Sequence, residues 1–312
     1  MNRFAFVFKR PFQLIPVLFG ISAITFILLQ MTPGDPVRLM LGPKAGPDAI
    51  AFVRARYGLD QPVLVQYFYY LKNVLLGDFG QSIAFRAPVS QVILERIAPT
   101  IYLIFYGLVI SVSLTLVMSI AAARQRGRWI DHLIRFLCVA GVGVPSYFIG
   151  LMLILGFCLR VKLFPVSGYG PNLVNNLWHL FLPALTVGIA VTPILTRNLR
   201  ATFIQQIDMD YAVACRSKGL SERSIFARHV FRNSLLPTVN LLGVVVAFLI
   251  GGTVVIENVF NIPGLGNLLI RAVLTRDYFV VQAVTLILAV GVVLANFAVD
   301  IATALLDPRV KL

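Results

Sequence analysis

Apolar residues fall along this 312-residue chain in long unbroken runs, without the short alternating pattern of half-buried strands. Six runs have the length of a membrane-crossing helix: roughly Phe12–Met31, Thr100–Ala123, Phe136–Cys158, Leu180–Thr196, Leu236–Ile256 and Val281–Leu306. A helix needs about 20 apolar residues to cross the hydrocarbon core. A β-barrel would instead show ~10-residue segments of alternating polarity. The pattern therefore predicts an all-α polytopic membrane protein with six transmembrane helices. The first run follows Arg3, Lys9 and Arg10, as a signal peptide would, but it ends in Met-Thr-Pro-Gly-Asp-Pro without a small-residue cleavage site and reads as a retained helix.

Composition agrees: 58% of residues are hydrophobic and 13% charged, against about 25% charged in soluble domains. The net charge of +14 changes the picture only through its distribution. Lys and Arg are retained on the cytoplasmic side of short loops during insertion. Sixteen of the 27 lie on the side that holds both termini, and four in the two short loops opposite. Both termini are therefore expected in the cytoplasm. Membrane lipid, and no nucleic acid, is the surface that this charge meets.

The expected organisation is a cytoplasmic N-terminus and first helix over 1–31, an extracytoplasmic loop over 32–98, and a five-helix core over 99–312 with a cytoplasmic loop at 198–235. The external loop carries two predicted helices. One is Pro47–Tyr57, with Pro47 near its start and Gly58 at its end. The other is the aromatic-rich Gln66–Leu76, expected to lie on the membrane surface. The loop reads either as an inert lid or as a surface that meets an extracellular partner.

Intramembrane ionisable residues are the usual markers of a transport site, and here they are few. Glu257 and Asp300 stand near span ends and read as interfacial contacts. Gly141, Gly143 and Pro145, Pro183 and Pro193, and Gly251 and Gly252 permit close helix approach or kinks. Cys138 and Cys158 fall in apolar runs and read as core hydrophobes; three cysteines make no disulfide framework. No metal-spaced Cys/His cluster, catalytic motif or Gly-Lys phosphate loop occurs, so any ATP is bound by another chain.

The polar stretch from Asp210 to Pro237 carries the most information. Asp210–Ser217 is compatible with helix, Gly219 is a plausible left-handed helix end, and Ser221 with Glu222 reads as a second N-terminus. Leu220 and Ile225 have hydrophobic-staple spacing. A short helix running to about Asn233, before Pro237 opens the next span, would offer Leu220, Ile225, Phe226 and His229 to a groove on a partner. An amphipathic helix resting on lipid headgroups is the equal alternative.

This stretch resembles the cytoplasmic "EAA" loop of ABC-importer permeases, in its peptide-permease form: Asp210-Tyr211, Ala214, Lys218-Gly219-Leu220, His229, Arg232-Asn233 and Pro237. Val213 stands where the loop's name places glutamate, as is usual in this branch. Other matching stretches are Pro33-Gly34-Asp35-Pro36, Tyr57-Gly58-Leu59-Asp60-Gln61-Pro62, Gly77-Asp78-Phe79-Gly80, Glu257-Asn258-Val259-Phe260, Ile262-Pro263-Gly264-Leu265-Gly266, Arg276-Asp277-Tyr278 and Leu306-Asp307-Pro308-Arg309. Across nearly its whole length the chain is similar to the dipeptide/oligopeptide/nickel permease family, B-type subunit.

The resemblance implies a type I importer permease fold in the bacterial inner membrane. It implies half of a translocation pathway, completed by a second homologous permease, two ATPase subunits that bind ATP and Mg, and an extracytoplasmic solute-binding protein. It implies docking on an ATPase through Gly219, Leu220, Ser221, Glu222, Ile225, Phe226 and His229, with Asp210, Ala214, Lys218, Arg232, Asn233 and Pro237 shaping the loop. Short peptides are the expected solute, with nickel chelates, glutathione or another small solute as alternatives. A secondary carrier and a non-transporting scaffold are the competing classes.

Overall fold

The computed structural model describes residues 3–30, Val37 and 46–306, which are helical almost throughout. The helices are α1 (Arg3–Gln30), α2 (Pro47–Tyr57), α3 (Val63–Leu75), α4 (Val89–Arg124), α5 (Trp129–Gly143), α6 (Ser146–Leu153, continued by the π-helical Ile154–Arg160), α7 (Leu173–Ile207), α8 (Asp210–Ser217), α9 (Glu222–Ile225, continued by the π-helical Phe226–Val230), α10 (Phe231–Val259), α11 (Leu265–Leu274) and α12 (Tyr278–Leu306).

Val89–Arg124, Leu173–Ile207, Pro237–Val259 and Tyr278–Ala304 are each long and apolar enough to cross a membrane. The third predicted span is not one straight helix. It breaks between α5 and α6, where Val144 is extended ahead of Pro145, and the two parts bend by 104°. Proline disfavours helical geometry in the residue before it, which accounts for the site of the break. The first predicted span lies on α1, a continuous helix that includes the apolar stretch Ile15–Ile27. Met31, Pro33-Gly34-Asp35-Pro36 and Asp307-Pro308-Arg309 lie outside the described residues.

The chain divides into two compact units, Met1–Ala98 with Pro263–Gly291, and Pro99–Ile262 with Val292–Leu312. In the first, the predicted Pro47 start and Gly58 stop of α2 are both met, Gly58 being left-handed at φ 65°. α3 covers the second predicted helix but packs on α1: Tyr67 is buried, shares a 2.8 Å hydrogen bond with Ser22 Oγ, and its ring lies 5.4 Å from that of Phe26. Val89, Val92 and Ile93 of α4 meet Leu265 and Leu268 of α11 and Val280 and Val284 of α12 in one apolar core. Beside it the fully buried Asp277 accepts from Ser82 Oγ at 2.6 Å and from the Ala84 N–H at 3.0 Å. This clamps the loop after Gly77-Asp78-Phe79-Gly80 to Arg276-Asp277-Tyr278, two stretches distant in sequence.

The second unit is built around α7. Of its apolar stretch 67% is buried, against 28–33% for the other three long spans, so α7 is the central element. Leu180, Val187 and Leu195 of α7 pack with Leu103 of α4 and Val245, Leu249 and Ile256 of α10. α4 and α7 come close where Gly107 faces Val187 and Gly188 faces Ile110; a Cβ at either glycine would lie 2.6 Å from its neighbour. Small residues let membrane helices approach this way. Glu257, fully buried, accepts a 2.6 Å hydrogen bond from Thr100 Oγ1, so the interfacial contact expected of it is a buried one between α10 and α4. Cys138 and Cys158 are buried, and the Cys158 thiol donates to Pro165 O at 3.4 Å.

Candidate functional site

The stretch after α7 is a helix corner. α7 itself runs to Ile207, so the first part of the predicted loop 198–235 belongs to this helix. Met209 is extended, and α8 begins at Asp210, whose carboxylate stands at the positive end of the helix dipole. α8 ends on Gly219, left-handed at φ 77°. The Gly219 N–H donates to Arg216 O at 2.9 Å and the Leu220 N–H to Cys215 O at 3.2 Å. These two bonds make the Schellman closure, which satisfies the last carbonyls of the helix. The Ser221 hydroxyl then accepts from the Ser224 N–H at 3.4 Å and caps α9.

A Cβ at Gly219 would meet nothing within 4 Å. Gly219→Val is therefore expected to cost only left-handed backbone strain, roughly 1–2 kcal/mol. A lower melting temperature of the purified permease, with faster proteolysis at the corner, is the expected result; unchanged values of both would contradict a left-handed Gly219.

Arg216, absent from the sequence-based set, holds the corner from inside. Its Nε donates to Glu222 Oε1 at 2.7 Å, and both terminal nitrogens approach Ile207 O at 3.4 Å. It thus joins the end of α7, α8 and the first turn of α9. The hydrogen-bonded Glu222 carboxylate raises the Arg216 pKa above its ordinary value. The available signal was opposite charges flanking a glycine corner.

Two predicted docking residues are not on the surface. Ile225 and Phe226 are buried, in a cluster with Ala123 of α4, Leu199 and Phe203 of α7, Ala212 of α8 and Val230. The Phe226 ring lies 5.1 Å from Phe203, and the Arg124 guanidinium sits over it at 5.2 Å. The reason is continuity: the helix begun at Glu222 does not stop near Asn233. It passes through π-helical turns at Phe226–Val230 into α10 and through Pro237 without a break, so its apolar face turns into the bundle. Leu220 stays 41% exposed while Ile225 turns inward, so the two are not buried together as a staple pair would be.

Gly219, Ser221 and Glu222 are exposed, as are Asp210, Ala214, Lys218, Arg232, Asn233 and Pro237; His229 is half-buried, its ring 6.5 Å from Tyr211. Val213, where the loop's glutamate would stand, is also exposed. Beside the corner opens a cleft of about 480 Å³, with Arg124, Arg216, Glu222 and Arg223 on its walls and Ile207 and Phe226 among its apolar lining. Among the described residues no cluster of three or more His, Cys, Asp or Glu could hold a metal.

Comparison with known proteins meets this architecture. Residues 115–312 match the family described as "Binding-protein-dependent transport system inner membrane component", and residues 3–115 match its N-terminal counterpart. The chain is 39% identical over 308 residues to the glutathione transport system permease protein GsiC of Salmonella typhimurium and 38% identical over 306 residues to that of Escherichia coli K12, covering 98% of each chain in both cases. The fold is similar to the MetNI methionine ABC transporter in an inward-facing conformation, with TM-score 0.54 and 15% identity over 70% of this chain and 97% of that one. It is also similar to an amino acid ABC transporter, with TM-score 0.52 and 16% identity over 71% and 95%. The chain thus belongs to the inner-membrane components of binding-protein-dependent transport systems, as a multi-pass permease subunit of an ABC importer.

Proposed function

We propose that the α8–α9 corner is the surface on which an ATPase subunit docks, and that the pathway carries short peptides, tripeptides of the glutathione kind among them. A permease of this family works with an ATPase and a solute-binding protein. In this reading two ATPases bind the ATP and Mg, a second homologous permease completes the pathway, both termini face the cytoplasm, and the 32–98 loop meets the binding protein.

One observation carries the docking proposal. A Schellman-closed, serine-capped corner presents Val213, Lys218, Leu220 and Arg223 outward and is continuous with a transmembrane helix. Such a corner can deliver displacement into the bundle without dissipating it in a flexible loop. Ile225 and Phe226 serve beneath it, as the floor that keeps it rigid. For coupling, the docked contacts must differ in free energy between the two states of the pathway.

The solute proposal rests on the end-to-end similarity to permeases named for glutathione, which is itself a tripeptide. Proteoliposomes holding the complete importer are expected to accumulate labelled glutathione or a labelled dipeptide, only with ATP and the cognate binding protein. Accumulation of nickel chelate with neither peptide carried would overturn the choice of solute. Uptake on an ion gradient without ATPase would overturn the docking reading.

A further inference from the structure

We infer that the Asp131–Arg200 ion pair is a positioning element that makes α5 travel with the docking corner, so that ATPase motion reaches the bundle through α5 as well as α7. This rests on the docking proposed above. Asp131 stands in the first turn of α5 and is 1% exposed. Arg200 of α7 grips it with both ends of its fork: Nε to Oδ1 at 2.6 Å and a terminal nitrogen to Oδ2 at 2.7 Å. The Gly127 N–H adds a bond to Oδ2 at 3.0 Å, and Arg135 stands 3.9 Å from Oδ1.

Stability alone does not explain such a pair. Asp131 is buried and Arg200 is 18% exposed. Taking such charges out of water costs much of what their attraction returns, and apolar residues of similar volume often do as well or better. A bidentate arginine–carboxylate contact does fix relative position and orientation, which apolar packing does less sharply. Its location is where that would matter. Leu199, adjacent to Arg200, and Phe203 are in the cluster that floors the corner with Ile225 and Phe226. A second contact, Arg126 to Asp208 at 2.8 Å, ties the α4–α5 turn to the residue that closes α7 just ahead of α8. Both of its side chains are more than half exposed, and exposed pairs contribute little, so the bidentate contact on the buried Asp131 carries the constraint.

Further along, α5 meets α7 where Gly141 faces Pro193; a Cβ there would lie 2.8 Å from Pro193 Cγ. Fixed at Asp131 and again at Gly141, α5 follows α7 as one body up to the 104° break before α6. That break is the position able to absorb a change of angle, as hinges at element ends do.

The test uses the complete importer in proteoliposomes, with the labelled tripeptide or dipeptide that the unchanged complex carries. Arg200→Gln leaves the buried Asp131 carboxylate with only the Gly127 N–H and Arg135 at 3.9 Å, and Asp131→Asn removes the charge that the partly buried Arg200 meets. Both are expected to lower stability, the first more. The double variant Asp131→Asn/Arg200→Gln leaves neither charge buried alone. It is expected to recover assembly and binding-protein-stimulated ATP hydrolysis, while solute moved per ATP falls by roughly fivefold or more. A ratio equal to that of the unchanged complex would overturn the inference. So would failure of the double variant to assemble, which would make the pair a folding contact alone. A misplaced docking site would show separately, as a Leu220→Asp complex that keeps its ATPase.

Discussion

Phe226→Ala is expected to destabilise the permease itself, by roughly 3–5 kcal/mol, the usual cost of truncating a core aromatic. The ring is 9% exposed, packs 5.1 Å from Phe203 and lies under the Arg124 guanidinium. Its loss removes apolar burial, a ring–ring contact and a cation–π contact together. Because Phe226 borders the cleft of about 480 Å³, the space left would open to water rather than stay a sealed void. That places the cost toward the lower end, ~3 kcal/mol. Phe226→Leu keeps most of the volume and is expected to cost under about 1.5 kcal/mol. The measurement is thermal unfolding of the permease purified without its ATPase. If Phe226→Ala left that curve unchanged yet lost the ATPase, Phe226 would be a contact residue after all.

The two substitutions at the corner, Phe226→Ala and Leu220→Asp, separate what sequence could show from what it could not. Four of the six predicted runs fall on helices long and apolar enough to cross a membrane; they were legible because a membrane helix announces itself by length and composition alone. The corner was legible because each part is local: a left-handed glycine, a serine cap, an acid in the first turn. Which face of the next helix turned inward was not. α9 is one turn long before its π-helical continuation, and with Ile225 and Phe226 adjacent on it there is too little length for periodicity to choose a face. Reading Pro237 as the start of a new span hid the continuity that decides the matter; membrane helices tolerate an interior proline. The break before α6 had a visible cause in Pro145, but its 104° angle depends on what α5 and α6 each pack against. The Asp131–Arg200 pair spans 69 residues of sequence, and no local pattern joins the two.

Leu220→Asp is expected to detach the ATPase while leaving the permease folded. Leu220 follows the glycine corner, 41% exposed, and its backbone bond to Cys215 O does not involve its side chain. Leu220 lies between two caps, but both cap bonds are made by other atoms, the backbone N–H of Leu220 and the Ser221 hydroxyl. Changes to an exposed side chain that makes no such bond usually fall within about 0.5 kcal/mol, so the fold should hold. Docking is another matter. Leu220 stands at the tip of a rigid projection, and a carboxylate there would be buried in the contact without a partner, which is costly. A loss of roughly 2–4 kcal/mol follows, the range of an interface hot spot, or about 30- to 700-fold in Kd. Co-purification of the ATPase should fall accordingly, with the permease melting curve unmoved. Lys218→Ala, also exposed but polar and on a flexible stem, should weaken docking far less. Were Leu220→Asp to retain the ATPase and full ATP-driven uptake, the contact would have to lie elsewhere. The exposed face of α8 around Val213 and Ala214 would then be the next surface to change, since it shares the same rigid body and the same route into α7 and α10.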